Sequence, residues 1–120
     1  MRRRTALLAA LALAAGPGRA AISAVEAARI ERLLQFVESQ QQAKFIRNGI
    51  AYSGKEAATF LRAKYEKMGA HCTTAAQFID QVASRSSTSG QDYLIRLADG
   101  RTVTAARFLG DELGRIDRQP

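Results

Sequence analysis

The chain has 120 residues, 24% of them charged, a formal net charge of +7 and one cysteine. This length suffices for one domain with a single modest hydrophobic core. A single cysteine excludes an internal disulfide, and with the one histidine it cannot complete a structural or catalytic zinc site within one chain. We therefore expect no metal and no other cofactor.

The first 20 residues have the layout of a cleavable secretory signal peptide. A cluster of three arginines precedes an apolar run from residue 6 to residue 15, and a Gly-Pro-Gly sequence follows. The small side chains before Ala21 favour cleavage between Ala20 and Ala21. The apolar run has about half of the roughly 20 residues that span a bilayer, and no later segment is longer. We expect a single mature domain, 21–120, that is periplasmic or secreted and has no transmembrane segment.

Export also changes the net charge that a partner would meet. Removing the four arginines of the signal peptide from a net charge of +7 leaves +3 on the mature domain, with acidic and basic residues interspersed. Nucleic-acid-binding domains usually carry clustered basic residues and a very high pI. Nucleic acid is therefore not an expected partner.

Helix-capping and turn patterns divide the mature chain into six segments. Three helices are predicted to begin at a hydroxyl residue followed three positions later by Glu or Gln, the pattern of a capping box, and apolar residues then recur at helical spacing. Each of two further segments consists of two short strands on either side of a turn sequence. In chain order, we predict a helix from Ser23 to about Glu38, a hairpin around Asn48-Gly49, a helix from Ser53 to about Gly69, a shorter helix after Thr74, a hairpin between Tyr93 and Val103, and a helix after Thr104.

These segments predict an α+β fold, with about four helices packed against two short β-hairpins in one small domain. On the second helix, Arg62 and Glu66 are spaced to form an ion pair. On the last helix, Asp111 and Glu112 are adjacent carboxylates. We interpret them as part of a solvated face rather than as an acid/base pair.

Several stretches of the mature chain have a familiar sequence pattern. They occur in the order Phe45-Ile46-Arg47-Asn48-Gly49, Tyr52-Ser53, Glu56-Ala57-Ala58, Leu61-Arg62-x-Lys64-Tyr65, Thr74-Ala75-x-Gln77-Phe78-Ile79-Asp80-x-Val82-Ala83-Ser84, Ser86-Ser87-x-Ser89-Gly90 and Tyr93-Leu94-Ile95. In these stretches the chain resembles the YfeK-like family of small exported bacterial proteins, a domain of unknown function. The resemblance runs from about Glu26 to Leu113, and it implies no mechanism.

One polar surface is a candidate recognition site. Strand alternation places Phe45 and Arg47 on one face of the first hairpin, and the hydroxyl-rich run from Ser84 to Gly90 could offer backbone N–H groups to a phosphate or carboxylate. The alternative is a solvated linker whose hydroxyls satisfy local backbone groups. The candidate ligand-binding residues are Arg47, Asn48, Tyr52, Lys55, Ser86, Ser87, Ser89, Tyr93 and Arg96.

The cysteine and the histidine are neighbours, His71 and Cys72. A catalytic thiol needs a base to form its thiolate, but adjacent side chains usually point apart. We therefore expect Cys72 to be a partly buried apolar residue. It also remains available for an intermolecular disulfide.

Three functions are compatible with these patterns. The sequence lacks a nucleophile elbow, a Ser-x-x-Lys spacing in the mature chain and a metal set, which favours a non-enzymatic exported binding or accessory module. Its partner would be an envelope protein or a small anionic ligand. The first alternative is a small hydrolase or transferase that uses Ser86, Ser87 or Ser89 with Arg47. The second is a protein inhibitor or envelope stress factor.

Overall fold

The computed structural model describes residues 22–68 and 71–119, and the predicted signal peptide and its cleavage site lie outside the described residues. Within these ranges the predicted α+β fold, with four helices and two hairpins, is confirmed. The elements are α1 (Ala24–Glu38), β1 (Lys44–Arg47), β2 (Ile50–Tyr52), α2 (Gly54–Met68), α3 (Ala75–Gln81), β3 (Leu94–Arg96), β4 (Thr102–Thr104) and α4 (Ala105–Asp117).

The capping box at the start of α2 forms completely. The Ser53 hydroxyl accepts a hydrogen bond from the Glu56 N–H at 3.1 Å, and the Glu56 carboxylate accepts one from the Ser53 N–H at 2.9 Å. At the start of α4, the Thr104 hydroxyl accepts from the Arg107 N–H at 3.2 Å. Both helix starts therefore follow from local sequence.

The capping box at the start of α1 forms only in part, because Glu26 has tertiary partners. Ser23 accepts from the Glu26 N–H at 3.1 Å as predicted. The Glu26 carboxylate accepts instead from the backbone N–H of Ala75, the first residue of α3, at 2.8 Å, and from Arg29 at 2.6 Å. Arg29 also donates to Asp117 at the end of α4, at 2.6 Å. One carboxylate thus joins α1 to α3, and Arg29 extends the link to α4.

Two predictions about charged residues are wrong. Arg62 binds Glu31 of α1 through two hydrogen bonds of 2.8 Å instead of pairing with Glu66, because the packing of α2 against α1 brings a carboxylate into bidentate range. Glu112 is buried, whereas its neighbour Asp111 is exposed. Glu112 is held by Arg115, one turn later on α4, with a 2.8 Å hydrogen bond from Nε.

The strands form one antiparallel sheet in the order β2-β1-β3-β4. Asn48 and Gly49 have φ angles of 52° and 81°, as a two-residue type I′ hairpin turn requires. Phe45 pairs with Ile95 across the sheet, and Ile95 pairs with Val103, so these side chains share one face. This face packs on the helices, since Ile95 is completely buried.

The hydrophobic core lies between the sheet and the helices. Its completely or nearly completely buried side chains come from α1, α3, β3 and α4, and the largest are Phe78, Ile30, Leu33, Ile95 and Leu109. The rings of Phe36 and Phe108 stack at 5.1 Å and join α1 to α4. In the ranges that the structure describes, no helix has the length and apolar character needed to cross a membrane.

Candidate functional site

The hydroxyl-rich segment after α3 is an ordered, hydrogen-bonded loop. The Tyr93 N–H donates to the Ser84 carbonyl, and the Ser86 N–H donates to the Gln91 carbonyl, both at 2.9 Å. The Ser86 side chain is buried, and its hydroxyl lies 3.3 Å from the N–H groups of Thr88 and Ser89. The prediction that these hydroxyls satisfy local backbone groups therefore holds for Ser86.

Asn48 joins the first hairpin to this loop. Its amide nitrogen lies 3.4 Å from the Ser86 hydroxyl, and its carbonyl oxygen accepts a hydrogen bond from the Ser89 hydroxyl at 2.6 Å. The tight turn thus presents a side chain that fixes the loop in position. Because Arg47 directly precedes Asn48, this contact also brings the end of β1 close to the loop.

A cleft of about 540 Å³ lies between α2, the end of β1 and this loop. We call it the basic cleft, because its lining includes three cations and, among the described residues, no Asp or Glu. The residues that line it are Arg47, Phe60, Ala63, Lys64, Lys67, Met68, Ser86, Ser87, Thr88 and Tyr93.

Lys64 is the most deeply buried of these cations, with only 8% of its surface exposed. Its ammonium donates to the Arg85 carbonyl at 2.7 Å and to the Tyr93 hydroxyl at 2.9 Å, which uses two of its three hydrogens. Burial lowers the pKa of Lys64, and the charges of Arg47 and Arg85 lower it further. Burial also raises the pKa of Tyr93, an effect that the charge of Arg47 opposes.

Arg47 projects from β1 over two aromatic rings. Its guanidinium carbon lies 4.1 Å from the centre of the Phe60 ring and 5.5 Å from the centre of the Tyr52 ring. Its Nη2 lies 3.4 Å from the Tyr52 hydroxyl. Cation–π contacts of this kind hold the planar group in place while leaving most of its N–H donors free.

The structure brings together most of the residues that the sequence nominated. Arg47, Ser86, Ser87 and Tyr93 line the basic cleft, and Asn48 and Ser89 fix its loop. Tyr52 contacts Arg47 without lining the cleft.

Lys55 and Arg96 lie apart from the cleft. Lys55 is exposed in the first turn of α2 and precedes the helix residues that line the cleft, of which Phe60 comes first. Arg96 pairs with Lys44 and Thr102, one position along β3 from Ile95, and therefore points away from the helices.

Sequence reasoning did not nominate Phe60, Lys64, Lys67 or Thr88. Spacing along α2 could have indicated Phe60 and Lys64. Lys64 follows Leu61 by three positions and Phe60 by four, which places it on the apolar side of the helix. A lysine on the apolar stripe of a helix is unusual, since lysine is almost never buried without a partner.

Cys72 is buried, whereas the sequence predicted a partly buried residue. It has 2% of its surface exposed, and burial raises the pKa of its thiol. His71 is exposed. Within residues 22–68 and 71–119 no group of three His, Cys, Asp or Glu residues is placed to hold a metal ion.

Comparison with known proteins agrees with the resemblance noted in the sequence. Residues 24–117 match the model of a family of unknown function, DUF5329. The chain belongs to the DUF5329 family. It is also 40% identical over 77 residues to the uncharacterized protein YfeK of Salmonella typhimurium, and this match covers 64% of each chain. The chain thus spans less than two thirds of that relative's length.

The predicted membership of a YfeK-like family of unknown function is therefore confirmed. No solved structure matches this DUF5329 chain.

Proposed function

We propose that this DUF5329 domain is an exported, non-enzymatic module that binds a small anionic ligand in the basic cleft. The observation that carries the proposal is Lys64, a buried ammonium whose protein partners are a carbonyl and a hydroxyl. A buried charge is costly unless a counter-charge compensates it. A bound anion would supply that counter-charge.

The charges around Lys64 strengthen this argument. Neither Arg47 nor Lys64 nor Lys67 forms an ion pair with any carboxylate that the structure describes. Burial is the main cause of the lowered pKa of Lys64, and repulsion by the charges of Arg47 and Arg85 lowers it further. Repulsion between like charges in an empty cleft destabilises the folded protein. The same charges attract a bound anion, which removes the repulsion.

The loop side of the cleft adds neutral donors. Ser87 and Thr88 line it and carry hydroxyl groups. The third Lys64 hydrogen, the Arg47 guanidinium and these hydroxyls together suit a phosphate or carboxylate group, which accepts several hydrogen bonds at once.

The same geometry gives less support to the hydrolase or transferase alternative. The Ser86 hydroxyl is engaged with the loop backbone, and the Ser89 hydroxyl donates to Asn48. Ser87 remains, and its hydroxyl lies 3.9 Å from the Met68 sulfur, which is not a base that could activate it. The inhibitor or stress-factor alternative stays a prediction, which a crosslinked pull-down from the envelope fraction tests.

Titration of the mature protein with inorganic phosphate, followed by NMR shifts and calorimetry, tests the proposed binding. We expect Lys64→Met to weaken binding about 10- to 100-fold, the effect of losing one charged hydrogen bond. The matched control is Lys55→Met, which removes the same charge from an exposed position of the same helix. Equal affinity in the wild type and both variants, or no binding to the wild type, contradicts the proposal.

Export is tested separately. The arginine cluster, the apolar run and the small residues before Ala21 support it. Mass spectrometry of the protein expressed in a Gram-negative host should give a mature N-terminus at Ala21 in the periplasmic fraction. An intact N-terminus in the cytoplasmic fraction would contradict this part of the proposal.

A further inference from the structure

A second cavity adjoins the basic cleft and differs from it in chemistry. This apolar hollow has a volume of about 80 Å³ and lies between the first half of α2 and the sheet. Its apolar lining residues include Phe45, Ala57, Leu61, Ala105 and Leu109. Leu109 is nearly completely buried, so the hollow reaches into the core.

The two cavities share part of their walls. Arg47, Phe60 and Tyr93 line both the apolar hollow and the basic cleft. The rings of Phe60 and Tyr93 meet edge to face, 6.0 Å apart, and the Arg47 guanidinium lies over Phe60. A group bound against these three side chains would face cations on one side and apolar carbon on the other.

Charge fixes the orientation of such a ligand. Arg47 lines the hollow where it adjoins the cleft, and the one carboxylate among its described lining residues is Glu56, whose side chain accepts a hydrogen bond from the Ser53 N–H. Like charges repel, so an anionic group is disfavoured there and favoured in the cleft beside Lys64. The apolar part of the ligand would then occupy the hollow.

The volume of the hollow limits what can enter it. A dry cavity of about 150 Å³ holds a benzene ring, and this hollow has about half that volume. By this proportion it accommodates about three or four carbon atoms. An aromatic ring or a long acyl chain does not fit without movement of the core.

We propose that the ligand of this domain is a small anion carrying a short alkyl group, bound with its charge in the basic cleft and its alkyl chain in the apolar hollow. This inference rests on the proposed function and narrows its ligand class. The nearest simple probe is butyl phosphate.

Calorimetric titration of the mature wild-type protein with methyl, butyl and hexyl phosphate tests the inference. Each buried methylene contributes about fourfold to affinity, so butyl phosphate should bind about 10- to 60-fold more tightly than methyl phosphate. Hexyl phosphate should gain nothing further, because the hollow is full. Intermolecular NOEs in the wild type should connect the butyl group with methyl groups of Leu61 and Leu109.

A variant that fills the hollow locates the alkyl group. Ala57 is half-buried and lines the hollow, so Ala57→Leu should abolish the preference for butyl over methyl phosphate. The matched control is Ala28→Leu, the same substitution at an exposed position of α1. The control should keep the preference.

The outcomes separate the two proposals. Equal affinity of wild-type protein for methyl and butyl phosphate overturns the inference and leaves anion binding intact. A butyl preference that survives in Ala57→Leu, or NOEs to residues outside the hollow, also overturns it. No binding of any of these phosphates overturns the proposed function itself. If Ala57→Leu does not fold, the chain-length series and the NOEs still decide.

Discussion

Replacing Lys64 by Met should leave the protein nearly as stable as the wild type. The wild-type ammonium makes two hydrogen bonds, to the Arg85 carbonyl and the Tyr93 hydroxyl. Hydrogen bonds from a charged donor contribute about 1.5–3 kcal/mol each, whereas burying an ammonium costs several kcal/mol. The two effects nearly cancel, and water in the cleft can hydrate the groups left behind. We expect the free energy of unfolding to change by no more than about 1 kcal/mol.

The pH dependence of the stability gives a second test, for which the direction of the change is predicted. Burial lowers the pKa of Lys64 in the folded protein. At pH values below this lowered pKa, Lys64 is charged in both states, and its charge is less favourable in the folded protein than in the unfolded chain. As pH rises from this lowered pKa toward 10.5, the ordinary pKa of lysine, the folded state releases the proton first, and wild-type stability increases relative to the Met variant. Taking the difference between the two proteins removes the groups that lie far from Lys64 and titrate alike in both.

Urea unfolding of wild type and Lys64→Met at several pH values from neutral to about 11, beyond the ordinary pKa of lysine, measures both effects. A stability loss above about 3 kcal/mol, of the size seen when a large core side chain is truncated, would refute the reasoning. So would a stability difference that does not vary with pH. Either result would make Lys64 a structural residue whose charge the fold itself compensates.

Three further predictions concern the fold. Gly54→Ala should destabilise the protein by about 1–3 kcal/mol, because the added Cβ would lie 2.6 Å from the Gln40 carbonyl oxygen. The control Gly110→Ala, in a helix with open space around it, should instead stabilise the protein by about 0.5–1 kcal/mol. Thermal unfolding measures both changes. Hydrogen bonds from the α3 backbone and from an arginine lower the pKa of Glu26, so the stability that Glu26→Gln removes at pH 7 should decrease as the pH falls below 4.5 and through the lowered pKa. Urea unfolding measures this, and a constant difference would contradict it. The Cys72 thiol should react with a thiol reagent only at the rate of unfolding, and fast native labelling would show an accessible thiol.

Local sequence was sufficient to predict the helices and hairpins. Asn48-Gly49 supplies the positive φ angles of a type I′ turn, and Ser53 with Glu56 supplies both bonds of a capping box. Each depends only on residues a few positions apart, so the prediction needs no tertiary information.

Partners that depend on packing could not be predicted in the same way. Arg62 has an acidic residue one turn away in sequence but binds Glu31, because the packing of α2 against α1 brings a carboxylate of another helix closer. Lys64 lies on the apolar stripe of α2, but its partners, the Arg85 carbonyl and the Tyr93 hydroxyl, are set only when α2 docks against the loop. The sequence therefore predicted the part of the site formed by the loop and the hairpin. It did not predict Lys64, the cation at the centre of the site.

The hydrogen bonds from Arg29 to Asp117 and from Arg32 to Gln119 have a topological consequence. They hold the start of the first helix beside the end of the last one, so the two ends of the described domain are neighbours. Domains with this property usually tolerate circular permutation. A short Gly/Ser linker could join residues 119 and 22, with new termini opened at the exposed Asp99-Gly100 turn. Such a rearranged chain would keep the helices and strands of the described domain while its chain ends lie at a new place on the fold.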